Sequence, residues 1–324
     1  MSKAITRIFI ILTLLSCSLF PHAQLIDNTS VTRNINHHSY FRFHYDNDFF
    51  TKTDEYYTQG ITAEYADPSI KKILLTKLLW RPFTGKAQYG ITLNLFGYTP
   101  TSIASDSILY GDRPFDANIS LKIFSIQQDE VRHRHLITGF SAGVMGPWAL
   151  GKEIQTGIHR WLSNPLPHGW QFQVNNDIIL NYQLVYEKQI AGNGTNFLLN
   201  GVAEINAGTL TDKISAGLSI MAGRFNKRYR PVQYERRRTE YYFFTQERIH
   251  AIGYDASLQG GLLSRHDPYT IAAKDINCLG FQADAGIIVN FRRYYFSYTQ
   301  SFLTPEFRTG KYHRWGGISA GFAL

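Results

Sequence analysis

Phe41-Arg-Phe-His-Tyr-Asp-Asn-Asp48 alternates apolar and polar side chains up to an acidic end. Phe41, Phe43 and Tyr45 point one way in an extended chain, and Arg42, His44 and Asp46 point the other. A second alternating stretch follows at about 56–66, with Tyr57, Ile61, Ala63 and Tyr65 against Thr58, Thr62 and Glu64. A soluble sandwich would bury the apolar face, whereas a membrane barrel turns it to lipid. In a barrel the polar face lines the interior, where Arg42, His44 and Glu64 can pair.

The same pattern recurs along the chain. Further strands are expected at about 87–97, 115–126, 134–145, 171–188, 195–208, 213–224, 239–256, 275–289, 292–303 and 311–323. With the first two they make twelve, and single-chain bacterial barrels have even counts. Twenty Tyr, 22 Phe and 26 Gly suit aromatic girdles and tight turns. No run after residue 24 approaches the roughly 20 apolar residues of a membrane helix. The expected fold class is therefore all-β: a twelve-stranded antiparallel outer-membrane β-barrel with a short helix in an extracellular loop.

The ends and the odd segments fill in the organisation. Residues 1–23 read as a secretory signal, with Lys3 and Arg7 as its charged start, Ile8–Leu15 as its apolar middle and Pro21-His-Ala23 at its cleavage end. Cys17 behind Leu14-Leu15-Ser16 offers a competing lipoprotein site. Removing the signal lowers the formal charge from +8 to +6, because Lys3 and Arg7 leave with it. Cys278 is then the one remaining cysteine, so no internal disulfide is expected. Residues 24–38 are polar and read as a loose lead-in, and 39–324 as the barrel. Residues 69–80 carry three lysines among apolar residues at helical spacing. They suit a short amphipathic helix, on the membrane surface or packed on the barrel. The basic segment Arg228–Arg238 suits an anionic group or a solvated loop, and Arg132-His-Arg-His135 suits a turn.

Asp46, Asn47 and Asp48 exceed what a clean strand end needs. Three adjacent oxygen-bearing side chains suit a hard cation such as calcium, or the capping of an exposed hairpin. Far along the chain, the 146–170 connection begins with Gly146-Pro147, is compatible with a helix over 148–162, and stops at Asn164-Pro-Leu-Pro167 before Gly169-Trp170. Gln155 and His159 stand four apart there, on one face of that helix. Counting strands from a periplasmic N-terminus puts Asn47, Asp48, Thr58, Gln155 and His159 at one outward rim. His159 can accept a proton from water near neutral pH, or it can be an ordinary loop histidine. Calcium held by Asp48 with Asn47 or Thr58 could stabilise an oxyanion, and Gln155 could orient base or substrate. No Gly-x-Ser-x-Gly elbow occurs, so an activated serine of that kind is unsupported.

At these residues the sequence resembles the outer-membrane lipid A 3'-O-deacylases of the LpxR type. The likeness is most specific in Asn47-Asp48 with Thr53-Asp54-x-Tyr-Tyr-Thr58-x-Gly60. It continues in Asp112-Arg-Pro114, in Gly146-Pro147, Gly151, Gln155 and His159, in Pro167-x-Gly-Trp170, and in Leu303-Thr-Pro-Glu-Phe307 with His313. The resemblance implies a calcium-dependent hydrolase that removes the 3' acyloxyacyl chain of lipid A. His159 would be the base, with Asn47, Asp48, Thr58 and Gln155 as its partners and Ca2+ on Asp48 and Asn47. It implies lipopolysaccharide as substrate, outer-membrane lipid as surroundings, no nucleic acid, and a monomer. The sequence departs from the family at Asp54-Glu55 and over Asp112–Ala117, which bears on how the lipid headgroup is held. A calcium-dependent phospholipase and a non-enzymatic porin or adhesin are the alternatives.

Overall fold

The computed structural model describes residues 28–35, 37–51, 55–85, 87–229, 239–264 and 266–324. The proposed signal, Cys17, Thr53-Asp54 and Arg236–Arg238 lie outside the described residues. Twelve antiparallel strands close on themselves, each bonded to its sequence neighbour, and β1 to β12. In order they are β1 (Tyr40–Asn47), β2 (Tyr56–Ala66), β3 (Ala87–Thr99), β4 (Asp116–Asp129), β5 (Arg134–Met145) and β6 (Asp177–Gly192). Then come β7 (Phe197–Gly208), β8 (Thr211–Arg224), β9 (Thr239–Asp255), β10 (Leu279–Phe291), β11 (Tyr294–Leu303) and β12 (His313–Ala323). Closure is in register from Tyr40 against Ala323 to Asn47 against Gly316.

The wall is apolar outside and polar inside, as alternation along β1 requires. Phe41 and Phe43 are 45% and 42% exposed on the outer face, while Arg42, His44 and Asp46 are buried within. Arg42 pairs with Glu64 at 2.6 Å across β1 and β2. His44 takes different partners from that pair: its ring meets Ser319 Oγ at 2.7 Å and Asp46 Oδ1 at 2.8 Å. Deeper in, Arg248 bridges Glu204 and Asp284. These charges are buried in pairs, which is how a lumen holds ions away from bulk water.

One mouth carries the connections β1–β2, β3–β4, β5–β6, β7–β8, β9–β10 and β11–β12, all long except the tight β7–β8 turn. The other carries chiefly short turns, the β2–β3 connection and the chain ends. The lead-in is not loose over 28–35. It lies inside the short-turn mouth, where Val31 and Ile35 pack with Leu198, Met221, Phe225, Phe244 and Ile288. Val31 N donates to Glu187 at 2.7 Å, and Arg42 donates to the carbonyls of Asn28 and Arg33. Polar composition suggested a solvated tail, but a polar lumen receives a polar segment equally well. At the opposite mouth, Tyr57, Phe96, Tyr98, Leu303 and Trp315 pack together on the inner side of β2, β3, β11 and β12.

The expected helix over 69–80 is instead two 3₁₀ segments, Pro68–Lys72 and Leu74–Leu78. Extended backbone at Ile73 separates them, and Thr76 Oγ1 bonds back to the carbonyls of Lys71 and Ile73. The segment packs on the outer wall, with Ile70 and Leu79 against Tyr89 and Ile123. In the basic 228–238 segment, Arg228 is buried 3.5 Å from Glu240. Arg132 and Arg134 both reach Asp129, which makes their stretch a tied turn.

Candidate active site

The hairpin between β1 and β2 is braced by its own polar side chains. Asn47 Nδ2 donates to the Thr58 carbonyl at 2.6 Å and to Tyr45 Oη at 3.0 Å, while its Oδ1 accepts from Phe49 N at 2.7 Å. Asp48 opens a 3₁₀ turn, Asp48–Thr51, and its buried Oδ2 accepts from Glu55 N at 2.6 Å. Thr58 sits in a β-bulge between Tyr57 and Gln59, and bulges re-aim side chains at barrel rims. Its Oγ1 is buried with no hydrogen-bond partner among the described residues.

The connection from β5 to β6 carries α1 (Gly151–Leu162). A 3₁₀ turn, Gly146–Ala149, and Leu150 with φ 60° lead into it, and Ser163 with φ 57° ends it. The re-entry expected at 171 comes later. Gly169–Phe172 is another 3₁₀ turn, and the wall resumes at Asp177. That turn exists to support the helix. Trp170 Nε1 donates to Gln155 Oε1 at 2.7 Å, and its ring packs on Phe115 with centroids 5.0 Å apart. His159 Nδ1 bonds the Pro165 carbonyl at 2.6 Å. A carbonyl can only accept, so Nδ1 carries the proton and Nε2 of the neutral ring keeps its lone pair. Gly151, Gln155 and His159 form the buried face of α1.

That face looks onto the outside of the wall. A Cβ on Gly151 would stand 2.3 Å from Ala117 Cβ, so only glycine lets α1 approach β4 so closely. Ala117 shares its strand face with Leu121, which is exposed to the lipid side. Register then links the β1–β2 hairpin to the strand on which α1 rests. Asn47 pairs with Gln59, Gln59 with Gly97, and Gly97 with Ala117. These four residues form one row across the outer face of β1 to β4. Strand spacing puts its ends about 14 Å apart, and the small Gly97 and Ala117 leave the row shallow beside α1.

The row also shows a residue that sequence reasoning missed. Gln59 is buried although it faces outward, and its Nε2 has no partner among the described residues. The Gln155 amide nitrogen is in the same condition. Thr58 Oγ1, Gln59 Nε2 and Gln155 Nε2 are thus three buried polar atoms at one rim with capacity to bind. A glutamine inside the recurrent strand pattern carries no signal of its own; only register reveals it.

Arg113, quoted in the sequence for its Asp112-Arg-Pro context, is structural. Its buried guanidinium bonds Glu306 and Ser257 Oγ, the latter at 2.6 Å, and lies 4.1 Å over the Tyr98 ring. Burial would lower its pKa, but Glu306 and Asp255 outweigh burial and hold it above the ordinary value. It pins three loops of the mouth and is not free to meet a lipid headgroup.

Among the described residues no cluster of three His, Cys, Asp or Glu side chains is poised for a metal. The hairpin instead offers hard oxygen donors: the Asp48 carboxylate, the Asn47 amide oxygen, the orphaned Thr58 hydroxyl and nearby carbonyls. Such a set fits calcium, which tolerates carbonyl and hydroxyl ligands and water, better than a nitrogen- or sulfur-seeking metal.

A family model described as "Outer membrane protein LpxR" matches residues 8–324. Among solved structures, LpxR from Salmonella typhimurium superposes with a TM-score of 0.72 at 19% identity, covering 88% of this chain and 100% of that one. The beta domain of the Bordetella autotransporter BrkA gives 0.42 at 6% identity, covering 88% of this chain and 98% of that one. The translocator domain of the autotransporter NalP from Neisseria meningitidis gives 0.42 at 9%, covering 88% and 87%. No curated protein sequence matches the chain.

Proposed function

The chain belongs to the LpxR family of outer membrane proteins, and from that premise we propose that it is a lipid A 3'-O-deacylase with its site at the long-loop mouth, facing the cell exterior. The observation that carries this reading is that the outer-face row Asn47, Gln59, Gly97 and Ala117 leads to Gly151 of α1, whose buried face also carries Gln155 and His159. A site there opens sideways, toward lipid, where an ester of lipid A would lie.

His159 serves as general base. Nδ1 is committed to the Pro165 carbonyl, so Nε2 takes the proton from a water as that water's oxygen attacks the ester carbonyl. The tetrahedral intermediate collapses with loss of the sugar oxygen, which receives the proton from the imidazolium. Gln155, fixed through Oε1 by Trp170, offers its amide nitrogen to the water or the ester. Gln59 offers a second amide N–H, from the row on the wall. Asp48, with Asn47 and Thr58, would hold Ca2+. When bound, that ion supplies positive charge against the developing oxyanion.

The interior supports an enzyme over a pore. Residues 28–35 pack inside one end of the lumen, and Tyr57, Phe96, Tyr98 and Trp315 narrow it from one side near the other. The test is direct: incubate lipopolysaccharide with purified protein and read lipid A by mass spectrometry, with and without a calcium chelator. Loss of one 3' acyloxyacyl unit, abolished in His159→Ala and by the chelator, is the expected result. Cleavage of glycerophospholipids alone would assign a phospholipase instead. No cleavage of either substrate would remove the hydrolase reading.

A further inference from the structure

We propose that α1 is immersed in the acyl layer of the outer leaflet, with Trp161 as its anchor, so that substrate reaches His159 from within the membrane. Which leaflet this is, and that its lipid is the substrate, rest on the function proposed above; the lipid contact itself does not.

The helix is amphipathic in an unusual sense. Its buried face is Gly151, Gln155 and His159, which are small or polar. Beside it runs a stripe of Ile154, Ile158 and Trp161, spaced at four and three residues; the two isoleucines are half-buried and Trp161 stands free of the protein. Trp161 is 83% exposed, and Leu162 at the helix end is 52% exposed. A helix docked in water keeps such large apolar side chains against the protein, whereas Trp161 and Leu162 point away from it. The arrangement is favourable where the outward medium is hydrocarbon, since each large side chain moved from water to lipid is stabilised. Lys152 and Arg160, both exposed, lie away from that stripe and suit phosphate-bearing headgroups.

The stripe continues a surface that already meets lipid. Ile178 and Leu180 are exposed on the outer face of β6, and Leu121 faces outward on β4 two strands away. The β5–β6 connection that bears α1 springs from this part of the rim. Trp148 N bonds Asn176 Oδ1 at 2.7 Å, two residues before Ile178, and the Trp148 indole is itself exposed. Exposed apolar side chains thus flank the junction of wall and connection on both sides, Ile178 and Leu180 on the strand and Trp148 and Leu150 on the connection. Because His159 is on the adjacent face of the same helix, immersion of the stripe sets the base at the depth of an acyl ester rather than in bulk water.

The test uses the whole protein in bilayers of phosphatidylcholine with brominated acyl chains, which quench indoles they touch. The chain has 5 tryptophans, so the Trp161 signal is the difference between wild type and Trp161→Phe. The difference emission should lose most of its intensity in brominated bilayers and resist aqueous acrylamide. If acrylamide quenches it and brominated chains do not, the immersion is overturned, whether or not lipid A is cleaved. If brominated chains quench it but wild-type protein cleaves no lipid A, the immersed helix stands and the deacylase reading falls. Leu162→Asp, at the exposed end of the helix beside Trp161, gives an independent check. It should lower the share of α1 shielded from hydrogen exchange in bilayers, whereas an unchanged share counts against immersion.

Discussion

Trp170 holds Gln155 through an indole N–H to amide oxygen bond of 2.7 Å, and it does so from the turn that follows α1 rather than from the wall. The bond occupies the amide oxygen, and the buried amide nitrogen has no partner among the described residues, which is what the proposed substrate role needs. Trp170→Phe keeps most of the ring contact with Phe115 and deletes only the donor. The orphaned, buried Gln155 oxygen then costs about 1–3 kcal/mol. Deacylation should fall roughly tenfold if that cost is met by Gln155 turning away, since about 1.4 kcal/mol is a factor of ten. A coupled assay with Gln155→Ala checks it: the double variant should lose little more than either single one.

Two glycines of α1 make a matched pair. At Gly151 a methyl group would meet Ala117 Cβ at 2.3 Å and the Trp170 ring at 2.7 Å. At Gly157 nothing lies within 4 Å. Gly151→Ala should lift the helix from β4 and abolish most activity, while the barrel still runs as a folded, heat-modifiable species on electrophoresis. Gly157→Ala should keep activity and stabilise the helix by about 0.5–1 kcal/mol. Equal effects at the two positions would contradict the close approach.

Arg113 joins the β3–β4, β9–β10 and β11–β12 loops through Glu306, Ser257 and the face of Tyr98. Arg113→Ala would leave the Glu306 carboxylate buried without its cation, at a cost of about 3–5 kcal/mol. Lysine restores charge but neither the fork nor the stacking, so Arg113→Lys should recover only part of the loss. Thermal unfolding in detergent measures both. The loss should appear first as protease sensitivity of the loops 101–115 and 304–312, because the wall has its own ladder.

Much of this was legible in the sequence because barrel strands alternate with a period of two. β2 and β5 lie at 56–66 and 134–145, as the alternation predicts. β6 starts later than expected, since Gly169-Trp170 looks like strand entry but packs under α1. The helix at 151–162 was legible from its spacing and its proline stop. The 69–80 segment was not, because apolar periodicity cannot tell an α-helix from 3₁₀ turns that pack on a wall. Gln59 was invisible, since its meaning lies in register with Asn47 and Gly97, and register depends on closing the barrel. The lead-in misled for a related reason: polarity marks water in most folds, but in a barrel it also marks the lumen.

Residues 28–35 plug the short-turn mouth, with Arg33 3.7 Å from Asp284 and Val31 N bonded to Glu187. Wild-type protein in planar bilayers should therefore show no steady ion conductance. Deleting 28–35 should open a conductive path and lower thermal stability, because Val31 and Ile35 leave an apolar cluster and Asp284 loses a cation. Steady conductance of the intact protein would mean that the segment does not occlude the lumen.

The metal proposal rests on Asp48, and a substitution there separates charge from shape. Asp48→Asn keeps the size and an oxygen able to accept from Glu55 N, so the hairpin should fold as before. What it removes is the one full negative charge that the hairpin's proposed calcium ligands provide. If that charge holds the cation, the variant should need far more calcium for half-maximal deacylation, and at a fixed low concentration its rate should fall about 10²–10³-fold, the range seen when one oxyanion-stabilising contact is lost. Raising calcium should then recover part of the rate in Asp48→Asn but none in His159→Ala, because the second variant lacks the base rather than the ion. Chelation should silence wild type and Asp48→Asn alike, with activity returning on adding calcium in excess. A variant rate that ignores calcium, or wild-type deacylation that survives chelation, would leave Asp48 as a hairpin cap bonded to Glu55 and nothing more.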